Sequence, residues 1–289
     1  MKDSVAKCGR RESHMIGRFK GLSHQQISKL VKEGRGQGEG RHYRPWIQTW
    51  DISSLGRSHR IFGNRSRRLH HLLSDLELAI FLTLDWQHSV LDIREQFPLR
   101  VEDTTRLADE LGISHAVFKG TPQVLSSDFL VTFDRQTQPL MAFQAKYSSD
   151  LSKPEVIERL QLEKRYWDDK QIPWAIITEK EISKEVVMNI QWLYPAESEK
   201  VAEGELHHQF LLFQTLFNKQ PNDSIIKIAQ QLDLAYNQEP GQALFWLRHL
   251  LARRYFQFDI NLPYRKLMAS DLIATPFEKE ITEANYVSG

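Results

Sequence analysis

Ser127-Asp128-Phe129-Leu130-Val131-Thr132-Phe133 and Leu140-Met141-Ala142-Phe143-Gln144-Ala145-Lys146-Tyr147 flank the polar stretch Asp134-Arg135-Gln136-Thr137-Gln138-Pro139. Two apolar-rich runs joined by a turn-like segment predict a β-hairpin. Alternation along a strand puts Gln144 and Lys146 on one face and sends Phe143, Ala145 and Tyr147 to the other. An oxygen donor on one strand, Asp128, opposite an amide and a lysine two residues apart is a pattern that can hold a divalent cation beside a phosphodiester. In that chemistry the lysine orients a water or balances charge on phosphorus. The same residues also suit an exposed strand face on which Asp128 and Lys146 form a weak surface ion pair.

Upstream of the hairpin, Ser89 to Arg94 reads as a strand closed by Phe97-Pro98-Leu99, and residues 101–112 read as a helix. Further back, Leu76, Ile80, Phe81 and Leu84 have helical spacing from Ser74. Ser74-Asp75-Leu76-Glu77 fits a capping box in which Glu77 bonds back to the Ser74 amide, so on the residues alone Glu77 is a cap. Downstream, a helix is predicted from Ser152 with Glu155 completing a second capping box, and with Val156, Leu160 and Trp167 on one stripe. Glu163 falls on that inward stripe, where a bare carboxylate either pairs with Arg159 one turn earlier or faces the site. Trp174 to Thr178 is a short buried strand and Ser183 to Leu193 another helix. These pieces assemble as α/β, a mixed sheet with flanking helices, over residues 1–195, with 1–25 a mobile tail.

Pro195 and the polar Glu197-Ser198-Glu199-Lys200 mark the expected domain boundary. Residues 196–289 then read as three helices, around Phe210–Phe217, Ile225–Leu232 and Leu244–Arg254, followed by an alternating strand at Tyr255–Ile260. That succession is winged-helix-like. Residues 205–289 carry 8 basic and 9 acidic side chains, a balance that suits protein docking at least as well as DNA.

With 41% hydrophobic and 26% charged residues, the chain of 289 residues is globular rather than disordered. No apolar run reaches membrane-span length, and the polar N-terminus has no signal-peptide core. The single cysteine, Cys8, excludes an internal disulfide and a cysteine-rich zinc site, and fits a reducing cytoplasm. The net charge of +1 conceals a division: residues 1–70 hold 16 Lys/Arg against 5 Asp/Glu, leaving 22 against 32 in the rest. The basic end is arginine-rich, with Arg35, Arg57, Arg60, Arg67 and Arg68 among its members, and predicts contact with a nucleic-acid backbone. Gly34-Arg35-Gly36-Gln37-Gly38-Glu39-Gly40 has neither a preceding strand nor a following Gly-Lys-Ser/Thr, so it reads as a flexible basic loop tracking DNA rather than a nucleotide cradle. Adjacent histidines diverge on regular structure, so neither His70-His71 nor His207-His208 chelates a metal alone. His70 or His71, next to Arg67-Arg68, is placed to contact a phosphate. No serine or cysteine triad assembles from the sequence.

Long motifs carry a more specific signal than the spacing does. They include Lys32-Glu33-Gly34-Arg35-Gly36-Gln37-Gly38, Gly56-Arg57-Ser58-His59-Arg60-Ile61 and His70-His71-Leu72-Leu73-Ser74-Asp75-Leu76-Glu77-Leu78-Ala79. Further ones are Val90-Leu91-Asp92-Ile93-Arg94-Glu95-Gln96-Phe97-Pro98-Leu99, Asp128-Phe129-Leu130-Val131, Arg165-Tyr166-Trp167 and Gln171-Ile172-Pro173-Trp174. At these residues, densely over 27–194 and more loosely beyond, the chain resembles TnsA, the endonuclease subunit of heteromeric cut-and-paste bacterial transposases. The resemblance implies a restriction-endonuclease-like catalytic domain followed by a winged helix. It implies that Glu77, Asp128 and Gln144 hold magnesium, two ions per site with manganese able to substitute, and that Lys146 is the catalytic lysine. Glu163 matches a further acidic position of functional interest. The glutamine at 144 departs from most nucleases of that fold and agrees with TnsA, and it makes the Glu77 carboxylate more necessary. The implied activity is cleavage at the 5′ ends of transposon DNA. The implied partners are an integrase-like TnsB-type subunit that cuts the 3′ ends and a TnsC-type ATPase that docks on the C-terminal domain. A stand-alone restriction or repair nuclease and a non-catalytic DNA-binding adaptor are the competing readings.

Overall fold

The computed structural model of the chain describes residues 21–51 and 57–275. Cys8 and most of the expected N-terminal tail lie outside the described residues. The described chain divides into two compact units at Lys180/Glu181.

In the first unit, α1 (His24–Lys32) starts at Ser23, whose side chain accepts from the Gln26 amide in a capping box. A two-stranded antiparallel piece follows, β1 (His59–Phe62) with β2 (Leu69–Leu72). Then come α2 (Asp75–Asp85), β3 (Val90–Pro98) and α3 (Val101–Leu111), which ends on Gly112 at φ 67. The short pair β4 (Val117–Phe118) and β5 (Thr121–Pro122) leads into the hairpin, β6 (Ser126–Phe133) and β7 (Leu140–Ala145). Helix α4 (Pro154–Asp169) then crosses to β8 (Trp174–Ile177). The sheet is mixed, in the order β3-β6-β7-β8, with the first two pairings antiparallel and β7–β8 parallel.

The hairpin forms where the alternation predicts it, but its faces are not exposed: Asp128 and Gln144 are both buried. Leu107 and Ala108 of α3 and Leu162, Tyr166 and Trp167 of α4 close over Leu99, Leu130 and Ala142 of the sheet side as one core. Each such large side chain stabilises the fold by roughly 1.5–3 kcal/mol through the apolar area it removes from water. Helix α4 begins at Pro154 with no side-chain cap, so the Ser152–Glu155 box does not form. The fixed φ of proline at the first turn starts the helix instead.

The glycine-rich stretch is not a flexible track. The Gly36 amide donates to the Arg44 carbonyl at 2.6 Å, and a Cβ on Gly36, which has φ 73, would lie 2.2 Å from Pro98 Cγ. Glycine is needed there because the loop folds against the end of β3.

The second unit holds α5 (Lys184–Ser198), α6 (Glu203–Lys219), α7 (Ile225–Ala235) and α8 (Gln242–Ala252). Helix α5 belongs to this unit and not to the sheet: buried Asn189 donates to the carbonyls of Ile260 and Leu262, each at 2.7 Å, and accepts from the Tyr264 amide. Pro195, expected at the boundary, sits inside α5 near its C-terminal end, where it forgoes one i→i−4 hydrogen bond. Phe210 and Phe217 of α6 both meet Phe256 with ring centroids 5.1 Å apart. The expected strand at Tyr255–Ile260 shrinks to β9 (Phe256–Gln257), paired antiparallel with β10 (Ile273–Ala274). It stops because Asp259 accepts the Asn261 amide in a tight turn. No helix among the described residues is long and apolar enough to cross a membrane.

Candidate metal centre

Three elements bring Glu77, Asp128 and Gln144 together. Glu77 occupies the first turn of α2, whose start is fixed by Ser74 Oγ accepting the Glu77 amide at 3.0 Å. Its carboxylate does not return to the Ser74 amide. It accepts from the Leu73 amide at 2.9 Å and from the Ser74 hydroxyl at 3.1 Å, so the cap orients the carboxylate without consuming it. Asp128 and Gln144 face each other at the open end of the hairpin. The Asp128 amide donates to Gln144 Oε1 at 3.1 Å, and the Ala145 amide donates to Asp128 Oδ2 at 2.8 Å.

A residue that the spacing did not single out joins them. Gln96 of β3 is buried and donates from Nε2 to Glu77 Oε2 at 3.3 Å and to Asp128 Oδ1 at 3.4 Å. It lay within a quoted motif, but nothing in its own type or spacing marked it.

Lys146 follows β7, with its amide donating to the Ile177 carbonyl at 3.1 Å. Its Nζ donates to the Ala145 carbonyl at 2.9 Å and stands 4.0 Å from Asp128 Oδ2. Burial, and then the negative charge of Asp128, push the Glu77 carboxyl well above the usual carboxylate range. Two buried carboxylates sharing one neutral donor is an arrangement that a cation would relieve, and the donors are the oxygens that a hard cation takes. Among the described residues no group of three His, Cys, Asp or Glu is gathered for a metal, and the third donor here is the Gln144 amide.

Glu163 does not pair with Arg159. Its Oε1 accepts from Ser127 Oγ at 2.6 Å and from Trp174 Nε1 at 2.9 Å, while Ser127 Oγ accepts from Trp167 Nε1 at 2.8 Å. Burial raises its pKa to about 7, against the opposing pull of those two hydrogen bonds. Glu163 lines a small cleft, of about 50 Å³, with Ser126, Gln144, Lys146 and Arg159.

The arginines separate into two sets. Arg57, Arg60 and Arg67 are exposed. Arg35 and Arg68 are buried and committed to the interior. Arg35 Nη1 bonds Asp51 at 2.9 Å and reaches the carbonyls of Pro45 and Trp46. Arg68 grips both carboxylate oxygens of Glu95 and the Ile93 carbonyl. His70 and His71 are buried as well: His70 Nδ1 meets Glu95 Oε2 at 2.9 Å, and the His71 amide donates to Glu95 Oε1 at 3.0 Å. Burial alone would raise the Glu95 carboxyl, but His70 and Arg68 hold it well below the usual range. Ser66 bonds the other nitrogen of His70, yet this Ser66–His70–Glu95 line is sealed from solvent and is a structural relay. His207 and His208 are exposed on α6 and distant in sequence from every centre residue.

Comparison with known proteins places the chain in a family. Residues 87–179 match the family described as TnsA-like endonuclease N terminal, and residues 181–260 match that described as TnsA endonuclease C terminal. The junction of the two falls where the structure divides. The chain is 44% identical over 251 residues to the transposon Tn7 transposition protein TnsA of Escherichia coli, covering 87% of this chain and 92% of that protein. On that similarity, this chain belongs to the TnsA endonuclease family.

Proposed function

We propose that this endonuclease is the subunit of a Tn7-like transposase that cuts at the 5′ ends of the transposon by magnesium-dependent hydrolysis. The carrying observation is the pair of buried carboxylates, Glu77 and Asp128, that reach the same Gln96 amide with the Lys146 ammonium alongside. Glu77, Asp128 and Gln144 would hold the magnesium, or manganese in its place, with two ions per site as in other hydrolytic centres of this type. The bound metal supplies Lewis acidity and a more acidic water.

The chain's own residues set the rest. Lys146 Nζ, tethered by the Ala145 carbonyl, is positioned to orient the attacking water or to balance charge on phosphorus. Glu163, with a pKa near neutrality and a place in the cleft beside Lys146, can take up and release a proton at working pH. Of the five arginines singled out in the sequence, Arg57, Arg60 and Arg67 are exposed and can neutralise DNA phosphates, and the transposon-end DNA is assigned to their side of the first unit. Arg35 and Arg68 act by holding that surface in shape.

Helices α6, α7 and α8 and the small antiparallel pair of the second unit support a winged-helix reading. The near-neutral balance of residues 205–289 assigns them to protein docking, with a TnsC-type ATPase as partner and an integrase-like TnsB-type subunit completing the transposase. The catalytic unit is taken to end at Lys180 and the complex to work in the cytoplasm.

Reconstituted 5′-end cleavage in magnesium tests this. Asp128→Ala and Lys146→Ala should each abolish cutting and leave folding and partner binding intact. Wild-type-like cleavage by either variant sinks the assignment. Cutting of naked DNA without partners would favour a stand-alone nuclease, and function unchanged after magnesium removal would favour an adaptor.

A further inference from the structure

Gln96 is in the wrong conformation for its surroundings. It has φ 49 inside β3, between Glu95 paired with Phe129 and Phe97 paired with Ser127. A positive φ is unfavourable for a residue with a Cβ, and glycine or asparagine is its usual tenant. A buried glutamine there keeps the strain and gains an aimed side chain. That side chain ends between Glu77 and Asp128. Nε2 lies 3.3 Å from Glu77 Oε2 and 3.4 Å from Asp128 Oδ1, and Oε1 accepts from Ser126 Oγ at 3.2 Å.

We propose that Gln96 is a further ligand of the metal centre, presenting its side-chain carbonyl oxygen to the cation. The inference rests on reading Glu77, Asp128 and Gln144 as that centre. An N–H group aimed at the two carboxylates occupies the space that a shared cation requires, and it cannot stay directed at a positive charge. All three of the amide's hydrogen bonds are long, so little holds it in its present orientation. A half-turn of the terminal amide exchanges oxygen for nitrogen in the gap. Ser126 permits the exchange, because a hydroxyl that donates to Oε1 can equally accept from Nε2. The half-turn thus converts a donor that bridges the carboxylates into a neutral oxygen ligand. It adds one oxygen to a centre in which Gln144 offers a neutral amide beside only two carboxylates, and an octahedral cation such as magnesium takes about six.

Titration of the full chain with Mn2+ alone, followed by calorimetry, tests the assignment. Gln96→Gly removes the side chain while relaxing the positive φ, so a loss of binding cannot come from added backbone strain. Gln96→Glu keeps an oxygen at the position but has no N–H to donate. The expected result is at least ten-fold weaker Mn2+ binding by Gln96→Gly and binding at least as tight as wild type by Gln96→Glu, both folded by metal-free melting. Wild-type affinity in Gln96→Gly overturns the proposal. So does equal weakening in both variants, which would assign the effect to the amide hydrogens rather than to a ligating oxygen. Asp128→Ala separates the two levels. If it loses Mn2+ while Gln96→Gly does not, only the Gln96 assignment fails. If it binds like wild type, the centre itself is misassigned and Gln96 with it.

Discussion

The backbone amide of Asp128 donates to the side chain of Gln144, while the backbone amide of Ala145 donates back to the side chain of Asp128. This reciprocal latch lies one step beyond Phe129–Phe143, the last regular pair of the hairpin ladder at that end. Side chains therefore continue the pairing that the backbone stops making. Two oxygen donors are held in fixed relation before any ligand arrives, as a precise site requires.

Gln144 variants should separate the latch from the ligand. Gln144→Ala leaves the buried Asp128 amide without an acceptor and should lower stability by about 1–3 kcal/mol. Gln144→Glu keeps the acceptor but sets a third carboxylate beside Glu77 and Asp128. It should melt below wild type without metal and show a larger rise in melting temperature with magnesium. An unchanged metal-free melt for Gln144→Glu would refute the account of crowded charge.

Glu77→Gln should trade activity for stability. The carboxyl is opposed by burial and by Asp128, so a neutral isostere removes a penalty while retaining an acceptor for the Leu73 amide. Metal-free melting should move upward and cleavage should disappear. A variant that melts lower than wild type contradicts the prediction.

Glu163 gives the pH dependence. Its folded pKa of about 7 lies above the ordinary value of 4.5, so between these pH values the folded state holds a proton that the unfolded state has released. Stability from this group is present below the unfolded value and is lost as pH rises through the folded one. A shift of this size corresponds to roughly 3 kcal/mol at a fully buried site. Denaturant unfolding of the metal-free protein at pH 5 and pH 8 should show a smaller loss of stability in Glu163→Gln than in wild type. Equal pH dependence in the two would remove Glu163 as the source.

The two arginine sets should respond oppositely. Arg60→Ala and Arg67→Ala should change stability by less than about 0.5 kcal/mol and reduce the salt slope of DNA binding by about 1 each. Arg68→Ala should destabilise by about 3–5 kcal/mol, because it leaves Glu95 buried without its guanidinium. Chemical denaturation together with DNA titrations at several salt concentrations reads both effects.

What could be read in advance follows physical range. The hairpin was legible because alternation and turn chemistry are local, and the start of α2 because Ser74 caps it within one turn. The commitments of Arg35 and Arg68 were not legible. Their partners Asp51 and Glu95 stand 16 and 27 residues away, and a charge run carries no sign of which members turn inward. Pro195 misled because proline ends helices more often than it lies within one, and α5 is placed with the second unit by contacts far along the chain, those of Asn189 and the Trp192–Tyr264 stack among them. Gln96 left no trace in the sequence, since a left-handed glutamine is written with the same letter as an extended one.

The buried grip of Arg68 on Glu95 and on the Ile93 carbonyl has a mechanical consequence. It bolts the chain segment beside exposed Arg67 onto β3, one residue before Gln96. A phosphate grasped by Arg67 would thus sit at a constant offset from the reacting bond. The distance from grip to cut would be a property of the protein's rigid frame, and on the proposed function the segment would serve as a ruler laid along the DNA.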